Sequence, residues 1–223
     1  MSEETLNQIR EDMTKIAKRL FERGLIAGTE GNLSVRLEKN RLLITPTGIN
    51  KGMLKKEDLI VINQYGEVIE GDGQPSTESA MHVVIYQHCP KINAIIHAHP
   101  SFTIALTLVG FRLDYPYLPE AAILSPIGVA PYSTPGTSEV AESLISLLPR
   151  CRTIILERHG AVTLGKDLNE AFNLMDSLEH MAQICWAARV ISPINPLSPS
   201  QLNRLIDNTR DNVKIRIGER DVS

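Results

Sequence analysis

The chain has 223 residues, 43% of them hydrophobic and 22% charged, a composition typical of a globular protein with a sizeable buried core. Its formal net charge is −3 and basic residues are interspersed with acidic ones, so the sequence indicates no nucleic-acid-binding surface. A polar N-terminus and the lack of an apolar run of about 20 residues predict a soluble, cytoplasmic protein without a signal peptide or membrane span.

The first part of the chain predicts one helix followed by hairpins. Apolar residues recur at helical spacing between residues 4 and 24, and Gly24 is placed to end that helix. The segments GTEGNLSVRL, RLLITPTG and DLIVINQYGEVIEG are typical of short strands joined by glycine and asparagine turns, which favours antiparallel hairpins. A helix is predicted to follow GQPSTES and to end near Cys89.

In the second part, predicted strands alternate with helices. The strands are expected at 93–98, 127–131 and 153–157, and the helices at 101–109, 138–148 and 167–190. The proline-rich segment SPINPLSPS ends the long helix, and Ser198 with Pro199 predicts the start of a short helix ending near Asn208. We therefore predict a mixed sheet covered by helices in one domain over residues 1–190, with a short helix and tail at 191–223 as its C-terminal extension.

Three of the six histidines lie at the ends of predicted strands. Alternate side chains of an extended chain share a face, so His97 and His99 in AIIHAHPS project from the same side. His159 follows the strand TIILE and precedes a glycine. Three neutral imidazoles that leave one position open are the usual ligands of a catalytic zinc, although the spacing is equally compatible with structural histidines. The histidines inside predicted helices are interpreted as surface or core residues: His82, His88 and His180.

Glu78 is the carboxylate of interest beside these histidines. It falls in the first turn of the helix opened by QPSTES, where the helix dipole favours a negative charge. That position is compatible with a purely structural role. It is also compatible with a fourth metal ligand or with a general base next to the metal.

Three turns rich in small polar residues could present backbone N–H groups to an anion: GTEGN at 28–32, TPTG at 45–48 and PST at 75–77. The third lies at a predicted helix N-terminus, a common position for a bound phosphate. Such residues also cap helices and form turns throughout proteins. None of the three matches a Walker or Rossmann fingerprint, so nucleotide binding has little support.

Six segments in chain order carry a resemblance to a known family: GTEGNLSVR, LLITPTG, PSTE, HAHP, APYSTPGT and RHGAV. Together they resemble the class II aldolase/adducin family over about residues 5 to 190, most closely its members that act on L-fuculose 1-phosphate. The resemblance implies a three-layer α/β/α sandwich with a mixed, mostly antiparallel central sheet. It also implies a homotetramer with active sites near subunit interfaces, and one Zn2+ per subunit, with Mn2+, Co2+ or Fe2+ as alternatives.

The resemblance further implies roles for individual residues. His97, His99 and His159 match the family's metal-binding histidines. Glu78 matches the acid that binds the metal in the resting enzyme and then acts as the base. The family's phosphate-binding positions are occupied here by Asn32, Thr47, Gly48, Ser76 and Thr77.

The aldehyde end of the implied site is where this chain departs from the family. Tyr117 matches a tyrosine taken to donate a proton near the aldehyde oxygen. Glu120 stands where the fuculose enzymes have a small residue, so it is a second candidate acid or base. Some members contribute a C-terminal tyrosine from a neighbouring subunit, which this chain lacks because no tyrosine follows Tyr132.

The activity implied by the resemblance is cleavage of a ketose 1-phosphate, L-fuculose 1-phosphate or a similar deoxyketose phosphate. The products are dihydroxyacetone phosphate and an aldehyde, formed through a metal-stabilised enediolate. Other reactions on the same scaffold are dehydration of methylthioribulose 1-phosphate, 4-epimerisation of pentulose phosphates and decarboxylation of a tetronate phosphate. A second acid or base at Glu120 leaves the dehydratase as an alternative activity. The epimerases have Asp where Glu78 stands, which argues against epimerisation. Adducin-like binding domains without catalysis lack the histidine set that this chain has.

Overall fold

A computed structural model of the chain describes residues 2–38 and 40–212. Two short 3-10 turns, Lys51–Met53 and Lys56–Asp58, lie between its second and third strands. Within the described part, the helices and strands in chain order are α1 (Glu3–Glu22), β1 (Asn32–Arg36), β2 (Arg41–Ile44), β3 (Ile60–Asn63), β4 (Val68–Glu70), α2 (Ser79–His88), β5 (Ala94–Ala98), α3 (Ser101–Leu108), α4 (Ala121–Leu124), β6 (Ile127–Ala130), α5 (Ser138–Leu144), β7 (Thr153–Leu156), β8 (Gly160–Gly165), α6 (Leu168–Ile191) and α7 (Pro199–Asn212).

The strands of the described residues form one sheet in the order β4-β3-β2-β1-β5-β8-β7-β6. All neighbouring pairs are antiparallel except β6 and β7, which are parallel. β5 lies in the interior of the sheet, where His97 is opposite Asn32 of β1 on one side and Val162 of β8 on the other. The predicted mixed, mostly antiparallel sheet is therefore confirmed.

Alternation along the strands divides the core into two clusters, one on each face of the sheet. In β1, Leu33 and Val35 pack in the cluster that contains the apolar residues of α1 and α6. In β5, Ile96 belongs to that cluster, whereas Ile95 belongs to the second cluster with the apolar residues of α2 and α5. Because successive strand residues point to opposite faces, Asn32 and His97 lie on the α2 face. Helices thus cover both faces, which confirms the three-layer α/β/α sandwich.

Most predicted elements match the structure within a few residues, but β8 and α4 are missing from the prediction. The segment Gly160–Gly165 has a glycine at each end, and glycine is depleted in strands because it has no side chain to pack. In the structure those glycines permit close packing: a Cβ on Gly165 would come within 2.5 Å of the backbone N of Ala171. The glycines therefore make β8 look unlike a strand on propensity alone, although they are the residues that allow this strand to pack closely.

No helix of the described residues is both long enough and apolar enough to span a membrane. The boundary near residue 190 stays a prediction, although α6 does end at Ile191 and the short helix predicted after Pro199 is present as α7, which contacts α4. The predicted tail from residue 213 onward lies outside the described residues.

Candidate metal centre

Three histidine side chains meet at one end of the central strands. His97 lies on β5 and is fully buried, His99 follows the end of β5, and His159 lies in the loop between β7 and β8. Their ring centroids are 4.8 to 5.1 Å apart. One nitrogen of each ring lies within 4.8 Å of the others, a grouping that could hold a metal ion. The three histidines selected from the sequence are thus brought together by the pairing of β5 with β8.

The loop that carries His159 is shaped by its neighbours. Leu156 pairs with Gly160, which leaves a three-residue hairpin loop in which Arg158 adopts a left-handed φ of 61°. Non-glycine residues seldom adopt this conformation, and such strain often occurs at functional sites. A Cβ on Gly160 would overlap the carbonyl oxygen of Ala98 and lie 3.2 Å from Cε1 of His97. Glycine after His159 is therefore required for the two strands to approach this closely.

Glu78 faces the histidines from the start of α2. It is the N-cap residue of that helix, yet its side chain makes no capping hydrogen bond. Its Oε2 lies 3.1 Å from Nε2 of His97, and its Oε1 lies 3.3 Å from Nε2 of His159. The carboxylate is thus directed at the histidine cluster and not at the amides of its own helix, which argues against a purely helix-dipole role.

The protonation states in this cluster suit metal ligands. Burial acts to raise the pKa of the Glu78 carboxyl, but the imidazoles of His97 and His159 beside it outweigh that effect and hold the pKa well below its usual range. Burial, followed by the charges of His97 and His159, lowers the pKa of His99 to about 3. An ionised carboxylate and a neutral imidazole are the forms in which these side chains bind metal.

Partners outside the cluster orient two of the rings. Nδ1 of His97 donates a hydrogen bond to the carbonyl oxygen of Ala161 at 3.0 Å, which leaves the Nε2 lone pair facing the cluster. Nδ1 of His99 lies 3.3 Å from Oε2 of Glu30, a partly exposed carboxylate of the GTEGN turn. Such second contacts are the usual means of fixing the tautomer of a metal-binding histidine.

A divalent metal ion fits this group of side chains. Oε1 of Glu78 is buried and has no hydrogen-bond partner in the described structure, and a buried carboxylate oxygen is costly unless a cation or donor satisfies it. Nε2 of His97 and Nε2 of His99 face each other at 3.1 Å. Imidazole and carboxylate donors suit zinc and other first-row divalent ions, so the donor set supports a metal without fixing its identity.

Two of the predicted phosphate-binding turns lie side by side next to this cluster. The backbone N of Thr47 donates to the carbonyl oxygen of Gln74 at 3.1 Å, and Ser76 N donates to Thr45 O at 3.3 Å. The TPTG and PST turns are thereby joined through their backbones. Gly48 has a left-handed φ of +74°, which favours glycine at this turn.

The second of these turns runs directly into Glu78. Ser76 is buried, and its Oγ accepts a hydrogen bond from Glu78 N at 3.3 Å. Thr47, Gly48 and Thr77 are exposed to solvent. A phosphate on these turns would therefore lie one residue along the chain from Glu78, which is compatible with the phosphate role that the resemblance implies.

Asn32 takes a position that the sequence did not suggest. It is 3% exposed, its Nδ2 donates to Oε2 of Glu78 at 2.8 Å, and its Oδ1 lies 2.5 Å from Nε2 of His82. Both ends of its amide are thus engaged by protein groups. A role in holding phosphate, which stays a prediction, would require its second amide N–H.

Tyr117 and Glu120 lie apart from the cluster. Tyr117 stacks on Phe111 with ring centroids 5.0 Å apart, and burial raises the pKa of its phenol, followed by the nearby Cys185 and Asp114. Glu120 is the partly buried residue that precedes α4. Among the described residues, no hydrogen bond, ion pair or ring contact joins either side chain to the three histidines or to Glu78. Their roles at the aldehyde end stay predictions.

Sequence reasoning missed two residues that contact the site. Glu30 was part of a segment interpreted only as an anion-binding turn, although its carboxylate lies beside His99. His82 was interpreted as a plain helical histidine, yet it contacts Asn32. A signal for His82 existed: it lies four residues after Glu78, and residues at this spacing share one face of a helix.

Comparisons with known proteins agree with this geometry. The family model of the Class II Aldolase and Adducin N-terminal domain matches residues 11–186. An L-fuculose phosphate aldolase of Methanococcus maripaludis strain C7 is 37% identical over 171 residues, which cover 76% of this chain and 92% of that protein. A 3-oxo-tetronate 4-phosphate decarboxylase of Haemophilus influenzae is 35% identical over 181 residues, 78% of this chain and 85% of that protein. A solved structure of L-fuculose 1-phosphate aldolase superimposes with a TM-score of 0.83 at 32% identity, covering 91% of this chain and 96% of that one.

Proposed function

This chain belongs to the class II aldolase and adducin family and is an enzyme of its lyase type, and from that premise we propose a specific reaction. The enzyme is a cytoplasmic, metal-dependent aldolase that cleaves a ketose 1-phosphate, L-fuculose 1-phosphate or a similar deoxyketose phosphate. Its products are dihydroxyacetone phosphate and an aldehyde. Relatives named for L-fuculose phosphate and for 5-deoxy-D-ribulose 1-phosphate support this substrate class.

The observation that carries the proposal is the meeting of Glu78 with His97 and His159 beside the two joined turns. The carboxylate lies 3.1 and 3.3 Å from the two imidazole nitrogens, and the PST turn leads directly into it. One end of the site is thus suited to a cation and the other to an anion. A small sugar carrying a phosphate on C1 has the matching arrangement of groups.

In this proposal His97, His99, His159 and Glu78 hold the metal ion, with zinc as the preferred identity. When bound, a divalent ion supplies a Lewis acid that stabilises the negative charge developing on the substrate oxygens during carbon–carbon cleavage. The phosphate is held by Asn32, Thr47, Gly48, Ser76 and Thr77. Their turns anchor C1 of the sugar and so fix the position of C3 relative to Glu78.

Cleavage breaks the C3–C4 bond, and its proton balance defines two roles. The C4 hydroxyl loses a proton as the aldehyde carbonyl forms, and C3 gains a proton to complete dihydroxyacetone phosphate. Glu78 is assigned the proton at C3, because the approach of C3 to the histidine cluster brings it to this carboxylate. Tyr117 is the first choice for the proton at C4, and Glu120 is the second.

We include a homotetramer with active sites near the subunit interfaces in the proposal. Large apolar side chains are exposed on and beside α3, α4 and α6: Leu108, Val109, Ile123, Trp186, Val190 and Ile191. Exposed apolar groups of this kind support an interface. An interface near the site would also let a side chain that meets no site residue of its own chain, such as Tyr117, complete the site of a neighbour.

A second candidate is decarboxylation of a 3-oxo acid 4-phosphate, which the relatives of that name favour. This reaction also breaks a carbon–carbon bond beta to a carbonyl and develops negative charge on the same oxygen. It differs in releasing carbon dioxide, so it needs no group to accept a proton from a C4 hydroxyl. The histidine cluster and Glu78 would serve both reactions.

The test is product analysis with purified, metal-loaded protein. L-fuculose 1-phosphate, other ketose 1-phosphates and 3-oxo-tetronate 4-phosphate are supplied in turn, and dihydroxyacetone phosphate, aldehyde and carbon dioxide are measured. The proposal expects dihydroxyacetone phosphate and aldehyde in equal amounts. Release of carbon dioxide from the oxo acid, with no cleavage of any ketose 1-phosphate, would establish the second candidate instead. A product that retains all the carbons of methylthioribulose 1-phosphate or of a pentulose phosphate would point to a dehydratase or an epimerase.

A further inference from the structure

A line of buried polar side chains runs from Glu78 into the interior, between β1 and the face of α2. Asn32 is 3% exposed, Ser34 and His82 are fully buried, and Tyr86 is 4% exposed. Each is hydrogen-bonded to the next. Only Glu78 of this line faces the histidine cluster. Ser34, His82 and Tyr86 have no proposed contact with substrate or metal and therefore need a different explanation.

The ionised carboxylate of Glu78 sets the direction of the hydrogen bonds along this line. An ionised carboxylate only accepts hydrogen bonds, so the amide nitrogen of Asn32 must be the donor in the 2.8 Å contact with Oε2. The amide oxygen of Asn32 then faces Nε2 of His82 at 2.5 Å. Because that oxygen only accepts, Nε2 of His82 must carry the proton.

The other ring nitrogen of His82 is fixed by the strand behind it. Burial, followed by the influence of the nearby His97, lowers the pKa of His82 to about 3, so the ring is neutral and Nδ1 has a free lone pair. Nδ1 accepts from Oγ of Ser34 at 2.6 Å. The single hydroxyl proton of Tyr86 is within reach of two acceptors, that Oγ and the backbone oxygen of Ser34, each 3.0 Å from the Tyr86 oxygen. The ring therefore cannot turn over without breaking hydrogen bonds on both sides.

We propose that His82 is a positioning residue for Glu78. Through its Nε2–H it holds the amide of Asn32 in the one orientation that presents an N–H group to the Glu78 carboxylate. Oε2 is thereby held by Asn32, and Oε1 remains directed at the cluster, where it has no protein hydrogen bond. This inference rests on the proposed function in one respect, the assignment of the C3 proton to Glu78.

Loss of the Nε2–H group has a specific consequence. Without that donor the buried amide oxygen of Asn32 has no partner, so the amide can turn or shift toward another donor and release the carboxylate. Oε2 then loses its hydrogen bond, and Glu78 is free to leave its position between His97 and His159. A histidine that only filled the core would affect stability and nothing else.

The experiment compares His82→Gln with His82→Leu, both loaded with Co2+ as the metal probe. A glutamine amide can still donate to Asn32 from nearly the position of Nε2, whereas leucine cannot. Thr163→Val is the matched control, because it removes another buried hydrogen bond, from Thr163 Oγ1 to Ala171 O at 2.8 Å, away from this line. We expect His82→Leu to lower Co2+ affinity or kcat by about 10- to 100-fold, the usual effect of losing an outer partner of a metal site. His82→Gln should restore most of the loss, and the control should match wild type.

A second measurement does not depend on catalysis or on how well the leucine variant folds. Nitrogen-15 NMR of the histidine rings in wild-type protein should show His82 neutral, with its proton on Nε2, at pH 7. A proton on Nδ1 would overturn the proposal, as would a folded His82→Leu protein with wild-type kcat and Co2+ affinity. If no sugar phosphate is cleaved by wild-type enzyme, the proposed function fails, whereas the NMR spectrum and the Co2+ affinities still decide the role of His82.

Discussion

Nε2 of His97 faces Nε2 of His99 across 3.1 Å in the interior of the protein. Nδ1 of His97 already donates to a backbone carbonyl, so in the neutral ring its Nε2 carries a lone pair. Burial holds His99 neutral as well, and its Nδ1 lies beside the carboxylate of Glu30. With both nitrogens unprotonated, two lone pairs at this distance repel each other unless a proton or a metal ion lies between them. The pair of nitrogens is thus suited to a metal ion on physical grounds that do not depend on the family.

Removal of single histidines should test this argument directly. We expect wild-type protein to bind about one divalent ion per chain, because the donor set is that of a catalytic metal site. His97→Ala and His159→Ala should lose most of the metal, whereas His88→Ala, which alters an exposed histidine of α2, should keep it. Metal analysis after dialysis gives the stoichiometry, and circular dichroism checks the fold. Full occupancy in either cluster variant would refute the assignment.

Glu78 should be indispensable for turnover and of little consequence for the stability of its helix. Its side chain makes no capping hydrogen bond to α2, so Glu78→Gln should not weaken the helix. As the group that moves the C3 proton, the carboxylate should contribute about 10²- to 10⁴-fold to kcat. Steady-state kinetics and thermal denaturation of the variant measure the two effects. Near-normal turnover of Glu78→Gln would indicate that Glu78 has only a structural role.

The aldehyde end can be tested with two isosteric changes. Tyr117→Phe keeps the stacking on Phe111 and removes only the hydroxyl, so a lower cleavage rate can be assigned to that group. We expect Tyr117→Phe to lower kcat strongly and Glu120→Gln to lower it less, because a neutral phenol can serve a developing alkoxide without adding a buried charge. The comparison is made on the ketose 1-phosphate that wild-type enzyme cleaves fastest. The reverse order of effects would make Glu120 the acid–base group.

His82 should make the protein sensitive to acid. Burial lowers its pKa from 6.5 to about 3, so between these values the unfolded chain binds a proton that the folded protein does not. The free energy of unfolding therefore falls as pH decreases below 6.5, by about 2 kcal/mol between pH 7 and pH 5 for this one group. Urea unfolding of wild type and His82→Gln at both pH values measures the difference. If both proteins lose the same free energy on acidification, the contribution of His82 is absent.

Local patterns in the sequence predicted the elements that carry a clear period or cap. The helical spacing of residues 4 to 24 corresponds to α1, and the alternation in AIIHAHPS correctly indicated that His97 projects from a buried strand. β8 was not predicted, because its flanking glycines look like turn residues until their close packing against β5 and α6 is known.

The candidate site was predicted only as far as residue types and spacing allow. Histidines and a carboxylate can be recognised as potential metal ligands from their residue types alone. The structure does bring Glu78 to His97 and His159. The contact of Asn32 with Glu78 depends on the register that sets Asn32 opposite His97, which is a tertiary property. The packing of α2 against β1 likewise places His82 behind Asn32. No local pattern encodes such a relationship between segments so far apart.

The place of β5 in the sheet also has a consequence for the order in which the protein folds. The partners of His97 in the flanking strands, Asn32 and Val162, are each 65 residues away along the chain. The loop between β5 and β8 must close before His159 can meet His97 and His99, and closure of such a loop is slow because its entropic cost comes before the contacts that reward it. We therefore expect the histidine cluster to be completed only late in folding. A metal ion that binds only the finished site should slow the unfolding rate and leave the refolding rate nearly unchanged.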